Sequence, residues 1–86
     1  MEYSAFNAWH VFGADNYCLC GDRADDPKEA IELAMQQTGR TLQDLIVEGC
    51  TVCLTREDEY TWFEVLDEVS VLRAAEFYKM EVDVNA

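Results

Sequence analysis

Basic side chains are scarce in this chain. Six lysines and arginines stand against eighteen aspartates and glutamates in 86 residues, for a formal net charge of −12. That shortage excludes direct work on polyanions. A compact body with this surplus carries a negative potential of several kT at its surface, and it repels DNA, RNA and anionic lipid. A nucleic-acid binder needs a basic patch or stripe, and none is present. Histidine occurs once, as His10, and proline once, as Pro27. The four glycines form no phosphate-cradling loop. No apolar run approaches the roughly 20 residues that span a bilayer, and no basic amphipathic stripe would hold the chain to a membrane surface. Met1-Glu2-Tyr3-Ser4-Ala5-Phe6 has neither the basic nor the apolar region of a secretory signal. The expectation is a cytoplasmic protein without a membrane partner, whose four cysteines are reduced thiols or metal ligands and not disulfides.

What is present is the material of a core. Half of the residues are hydrophobic and 12% are aromatic, which argues against disorder despite the charge. The length predicts one domain over residues 1–86, with the acids outside a real but modest core. A small domain more often carries a net charge of magnitude about 2–8. Excess like charge costs stability through self-repulsion, so the acidity itself points to a use.

Along the chain, Ala5 to Phe12 is aromatic and β-rich and predicts a strand. Gly13-Ala14-Asp15-Asn16 supplies turn chemistry, and Tyr17 to Cys20 predicts a second strand closing a hairpin. Asp26 is a helix N-cap, Pro27 suits the first helical position, and Glu29 follows three residues after the cap. Ala30, Ile31, Ala34 and Met35 then recur on one helical face, and Gly39 is the stop. A helix over 27–38 follows. Thr41 to Asp44 predicts one short capped turn, and Cys50 to Thr55 a strand. A charged turn over 56–59 leads to another strand over 60–65. Leu66 to Ala75 mixes both signals and is read as a short helix. Tyr78, Met80, Val82 and Val84 alternate with charged residues and predict a last strand. The order is β-β-α-β-β-(α)-β. The fold class is α+β, a small antiparallel sheet with one main helix on one face. Its core joins Ile31, Ala34 and Met35 to Leu19, Val52, Phe63, Met80 and Val82.

The candidate chemistry is thin. Cys18, Cys20, Cys50 and Cys53 number enough for a four-thiolate zinc site. In a strand, however, Cys50 and Cys53 point to opposite faces, and Thr51-Val52 between them is not a metal-wrapping turn. Four small buried apolar residues are the plainer reading, and no cofactor is expected. A redox role for Cys50-x-x-Cys53 needs a helix N-terminus or a cation beside it, and the local acidity opposes that. His10 lies between Trp9 and Val11 without a recognisable nucleophile. Asp22 to Asp26 lacks calcium-loop spacing. Trp9, Tyr17, Tyr60 and Trp62 could stack bases, but they have no basic groove beside them. Without a nameable catalytic arrangement, no enzyme is expected.

The acids are better read as a surface in three blocks: Asp22, Asp25, Asp26, Glu29 and Glu32; Glu57, Asp58 and Glu59; and Glu64, Asp67 and Glu68. Duplex DNA presents one charge per about 1.7 Å of axis, and carboxylates two apart on a strand lie about 7 Å from each other. Converging blocks would offer negative charge at phosphate-like spacing. The expectation is a small acidic inhibitor that docks on the basic surface of a nucleic-acid-binding protein in the manner of a DNA mimic. The likeness to phage anti-restriction and anti-CRISPR proteins is one of composition. Alternatives are an immunity protein or antitoxin covering a basic nuclease, and a small structural zinc module. A modest core and an exposed sheet edge are also compatible with a homodimer.

Overall fold

The computed structural model describes residues 6–15, 17–19, 24–57 and 64–80. Its elements are β1 (Phe6–Phe12), α1 (Pro27–Thr38), α2 (Leu42–Val47), β2 (Thr51–Glu57), β3 (Glu64–Ser70) and α3 (Val71–Phe77). The strands form one antiparallel sheet in the order β1-β2-β3. The helices pack on one face of it, so the α+β architecture is the one the sequence predicts. No helix among the described residues is long and apolar enough to cross a membrane.

The sheet has two unlike faces. Val11, Val52 and Val69 stand opposite one another across the three strands. They meet Ala30, Ile31 and Ala34 of α1, Leu42 and Leu45 of α2, and Val71, Ala74 and Ala75 of α3 in a single cluster. Leu19, Met35 and Met80 pack against it half-buried, as their predicted core roles require. Phe63 and Val82 lie outside the described residues. The next row, His10, Cys53 and Glu68, occupies the opposite face because successive side chains alternate. On that face Ala8, His10, Cys53 and Thr55 are buried, and the Thr55 hydroxyl donates to the Ala8 carbonyl at 3.3 Å.

Each helix is bounded by local chemistry. The Asp26 carboxylate accepts from the Glu29 N–H at 2.8 Å, with Pro27 at the first helical position. Gly39, at φ 73°, ends α1 in the left-handed conformation and donates to the Met35 carbonyl. Thr41 to Asp44 is more than the predicted turn. It opens α2 as a reciprocal capping box, the Thr41 hydroxyl accepting from Asp44 N–H and the Asp44 carboxylate from Thr41 N–H. Gly49, at φ 75°, closes α2 with paired bonds from Gly49 N–H to the Ile46 carbonyl and from Cys50 N–H to that of Leu45. Lys79 repeats this motif after α3. It sits at φ 55° and donates to the Glu76 carbonyl, while Met80 N–H donates to that of Ala75.

Three sequence expectations change, and a fourth falls mostly outside the described residues. Tyr17 to Leu19 is not a strand: Cys18 makes an isolated bridge to Phe12, and Cys20 lies outside the described residues. The predicted strand over 60–65 is described only at Glu64 and Val65, which begin β3. The predicted helix over 66–75 starts late. Leu66 to Ser70 remains extended because pairing with β2 satisfies its backbone and places Val69 in the core, and the Ser70 hydroxyl then caps α3 by accepting from Arg73 N–H. Tyr78 to Met80 is not a strand but the wound-up end of α3. Residues 81–84 of that predicted strand lie outside the described set.

Three stability changes follow. Ile31→Ala removes one of the two largest wholly buried side chains among the described residues and should cost about 2–5 kcal/mol, read by chemical denaturation. A lysine held left-handed is strained by about 1–2 kcal/mol. Lys79→Gly should therefore raise stability by about 1 kcal/mol, after the entropy of the added glycine, with Lys79→Ala as the neutral control. The Thr41 backbone N–H, then its hydroxyl, holds the Asp44 carboxyl below its usual range. A lowered folded-state value stabilises above the unfolded value and is lost as pH falls. Asp44→Ala should thus be destabilising at neutral pH, and the difference should vanish in acid.

Candidate functional site

The two edges of the sheet are treated differently. The outer edge of β1 is occupied by the chain's own return: Trp9 N–H donates to the Ala24 carbonyl at 3.0 Å, and Leu19 N–H to that of Val11 at 2.8 Å. No described strand pairs with the outer edge of β3. Its phase can be read from the ladder. Val71 N–H donates to the Cys50 carbonyl, so hydrogen-bonded pairs alternate to Val69 and Asp67. The backbone groups of Glu68 and the Ser70 N–H therefore point outward, while the Ser70 carbonyl, at the N-cap of α3, serves that helix. The Glu68 N–H is covered only by its neighbour's carboxylate, Asp67 Oδ1 at 2.9 Å. Val65, Leu66, Asp67 and Glu68 are exposed in succession, so both faces of the strand are uncovered there. A register shift opposite Leu54 and Thr55 leaves Leu66 without a direct partner, so the strand kinks at this point.

The acid blocks fall on two elements. Asp25 and Asp26 are exposed ahead of α1, Glu29 is half-buried in its first turn, and Glu32 is exposed one turn on. Glu57 ends β2, and Glu64 begins β3 opposite Arg56, so those two backbones share one end of the hairpin. Asp67 and Glu68 are exposed mid-strand on opposite faces of the sheet. Asp22, Asp58 and Glu59 lie outside the described residues. The start of α1, the end of β3 and one side of α3 line a groove of about 280 Å³, formed by Pro27, Val69, Arg73, Ala74, Phe77 and Tyr78. Asp26 adjoins Pro27 there, and Asp67 shares the strand face of Val69. Among the described residues, the carboxylates of Asp25, Asp26, Glu29, Glu32, Asp67 and Glu68 have no cationic partner; the ion pair is elsewhere, Arg40 to Glu48 at 3.0 Å. That bond to Glu48 holds the Arg40 guanidinium above its ordinary value. The pair lines a second groove of about 470 Å³ with Asp15 and Tyr17.

The cysteines separate. Cys50 is buried in the helix-side cluster and Cys53 on the opposite face of the sheet, so their thiols do not converge on one ion. Cys18 is exposed, and Cys20 lies outside the described residues. Among the described residues, no group of three or more His, Cys, Asp or Glu is placed to hold a metal. Burial pushes both the Cys50 and Cys53 thiols up, which keeps them protonated and poorly nucleophilic. Cys53 Sγ lies 3.7 Å from the Thr51 hydroxyl and donates to Glu68 Oε2 at 3.9 Å. His10 is buried beside Phe12, edge to face with ring centroids 6.3 Å apart. Trp9 is half-buried against the core and Tyr17 exposed; Tyr60 and Trp62 lie outside the described residues.

Sequence reading missed the exposed apolar pair Val65–Leu66 and that the open edge it allowed for lies at β3. A shift from strand to helix at Ser70 was the signal, since a Ser cap ahead of Leu72, Ala74 and Ala75 marks where the strand must end.

Thiol alkylation should separate the cysteines. Cys18 should label in the native protein. Cys50 and Cys53 should label at least about a hundredfold more slowly, because they react only through rare opening, with peptide mapping as the readout. Beyond this geometry there is no relative to consult: no protein family, curated protein or solved structure matches the chain.

Proposed function

We propose that this chain is a small acidic binding protein that docks on the basic, nucleic-acid-binding surface of a partner protein. The observation that carries the reading is a net charge of −12 whose carboxylates on α1 and β3 have no cationic partner among the described residues. Such charges remain available to an external partner. They steer encounter over distances set by salt, about 8 Å at physiological ionic strength, and raise association rates with a basic surface. The apolar groove at Pro27, Val69 and Phe77 supplies short-range contact, because Phe77 is 78% exposed. A partner that is itself a nuclease would make the chain an immunity protein or antitoxin by the same contact.

Affinity capture from a lysate of the source organism tests this. A nucleic-acid-binding protein should be retained at low salt and released both by high salt and by added duplex DNA. Partners without a basic surface, or retention indifferent to DNA, would overturn the reading. Against the captured partner, Glu29→Lys/Glu32→Lys should weaken binding at least about tenfold, equivalent to about 1.4 kcal/mol, while circular dichroism stays unchanged. Unaltered affinity would remove α1 from the contact.

A further inference from the structure

We infer that the outer edge of β3 is a docking site for an extended basic segment of the partner, which adds to the sheet as a fourth strand. The inference rests on the basic-partner reading above and deepens it. An edge strand with unpaired backbone groups is a template for another strand. Among the described residues the outward backbone here belongs to Glu68 and to the Ser70 N–H, and the side chains beside it are exposed carboxylates and exposed apolar residues, Asp67 and Glu68 with Val65 and Leu66. In strand addition, main-chain hydrogen bonds give affinity and side-chain contacts give specificity.

The charge selects the occupant. Asp67 and Glu68 are consecutive and so lie on opposite faces of the sheet. An incoming strand with two consecutive Lys or Arg residues places one cation against each. A second copy of this chain is disfavoured, since pairing β3 with β3 about this point sets acid against acid and like charges directly opposite are destabilising. Asp67 also sets the condition for entry. Its carboxylate now accepts from Glu68 N–H at 2.9 Å. A docking strand's carbonyl takes over that donor, and the released carboxylate turns to the incoming cation. The same side chain therefore blocks neutral or acidic strands and rewards basic ones.

The probe is a synthetic peptide of seven residues, the length of β3, with an adjacent Lys-Lys pair in a Val/Thr background. Its control has the same sequence with every backbone amide N-methylated. At low salt, the first peptide should shift the amide resonances of residues 64–70 and slow exchange of the Glu68 amide about tenfold or more, as a newly protected hydrogen bond does. The methylated peptide should not. Asp67→Lys/Glu68→Lys should abolish peptide binding with the fold intact by circular dichroism, and Glu29→Lys/Glu32→Lys should leave it within about twofold, because sites without shared partners act independently. Equal binding of the methylated peptide, or shifts centred on α1, would overturn strand addition while leaving a basic partner in place. No binding of the peptide would also overturn it. Failure of the basic-partner reading is read separately, by capture and DNA competition.

Discussion

The row Val11–Val52–Val69, pressed against Ile31 and Ala34, is the contact on which the other features depend. It joins the three strands at one level, under α1 at β1 and β2 and under α3 at β2 and β3, and it fixes register, because a slip of one residue would turn His10, Cys53 and Glu68 inward. Once that register is set, the outward phase of Glu68 and Ser70 follows from the alternation of the ladder. So does the separation of Cys50 from Cys53. The exposed acids, the open edge and the divided thiols are therefore consequences of one apolar row.

The charge distribution reflects how little core there is to spare. A domain of this size has few positions that can be emptied of water, and those go to Ala, Val, Ile and Leu. Acids are left to caps, first turns and an edge strand. At Asp26 and Asp44 a carboxylate satisfies helix N–H groups that would otherwise have no partner. At Asp67 it satisfies an edge N–H. Three acids thus serve the fold locally while their charge is still exposed to solvent. Glu32, in contrast, is exposed and forms no ion pair among the described residues.

How much of this was legible in the sequence depended on whether a signal was local. Asp26, Pro27 and Gly39 delimit α1 by side-chain chemistry alone, and the helix runs between the residues they mark. The α+β class followed from that helix and the β-rich segments around it. The end of α3 was not legible, because a lysine occupies the left-handed position where Gly39 and Gly49 stand in the other helices. Alternation of Tyr78 and Met80 then imitated a strand. The β3 boundary was missed because Val69 and Val71 carry both propensities, and only pairing with Val52 and capping by Ser70 separate them. For the candidate site, sequence supplied the acids but not their neighbours. The meeting of Pro27 with Val69 and Phe77 is a tertiary fact, as is the absence of a described strand beyond β3.

Leu19 and Ala24 both bond to the outer edge of β1. Growth of strands into a fibre needs two adhesive sides on each unit, one to receive and one to offer. In the described sheet, Trp9 and Val11 already spend one side on the chain's own Ala24 and Leu19. Among the described strands only β3 presents a free side, so this sheet can receive a strand there but cannot pass growth on through β1.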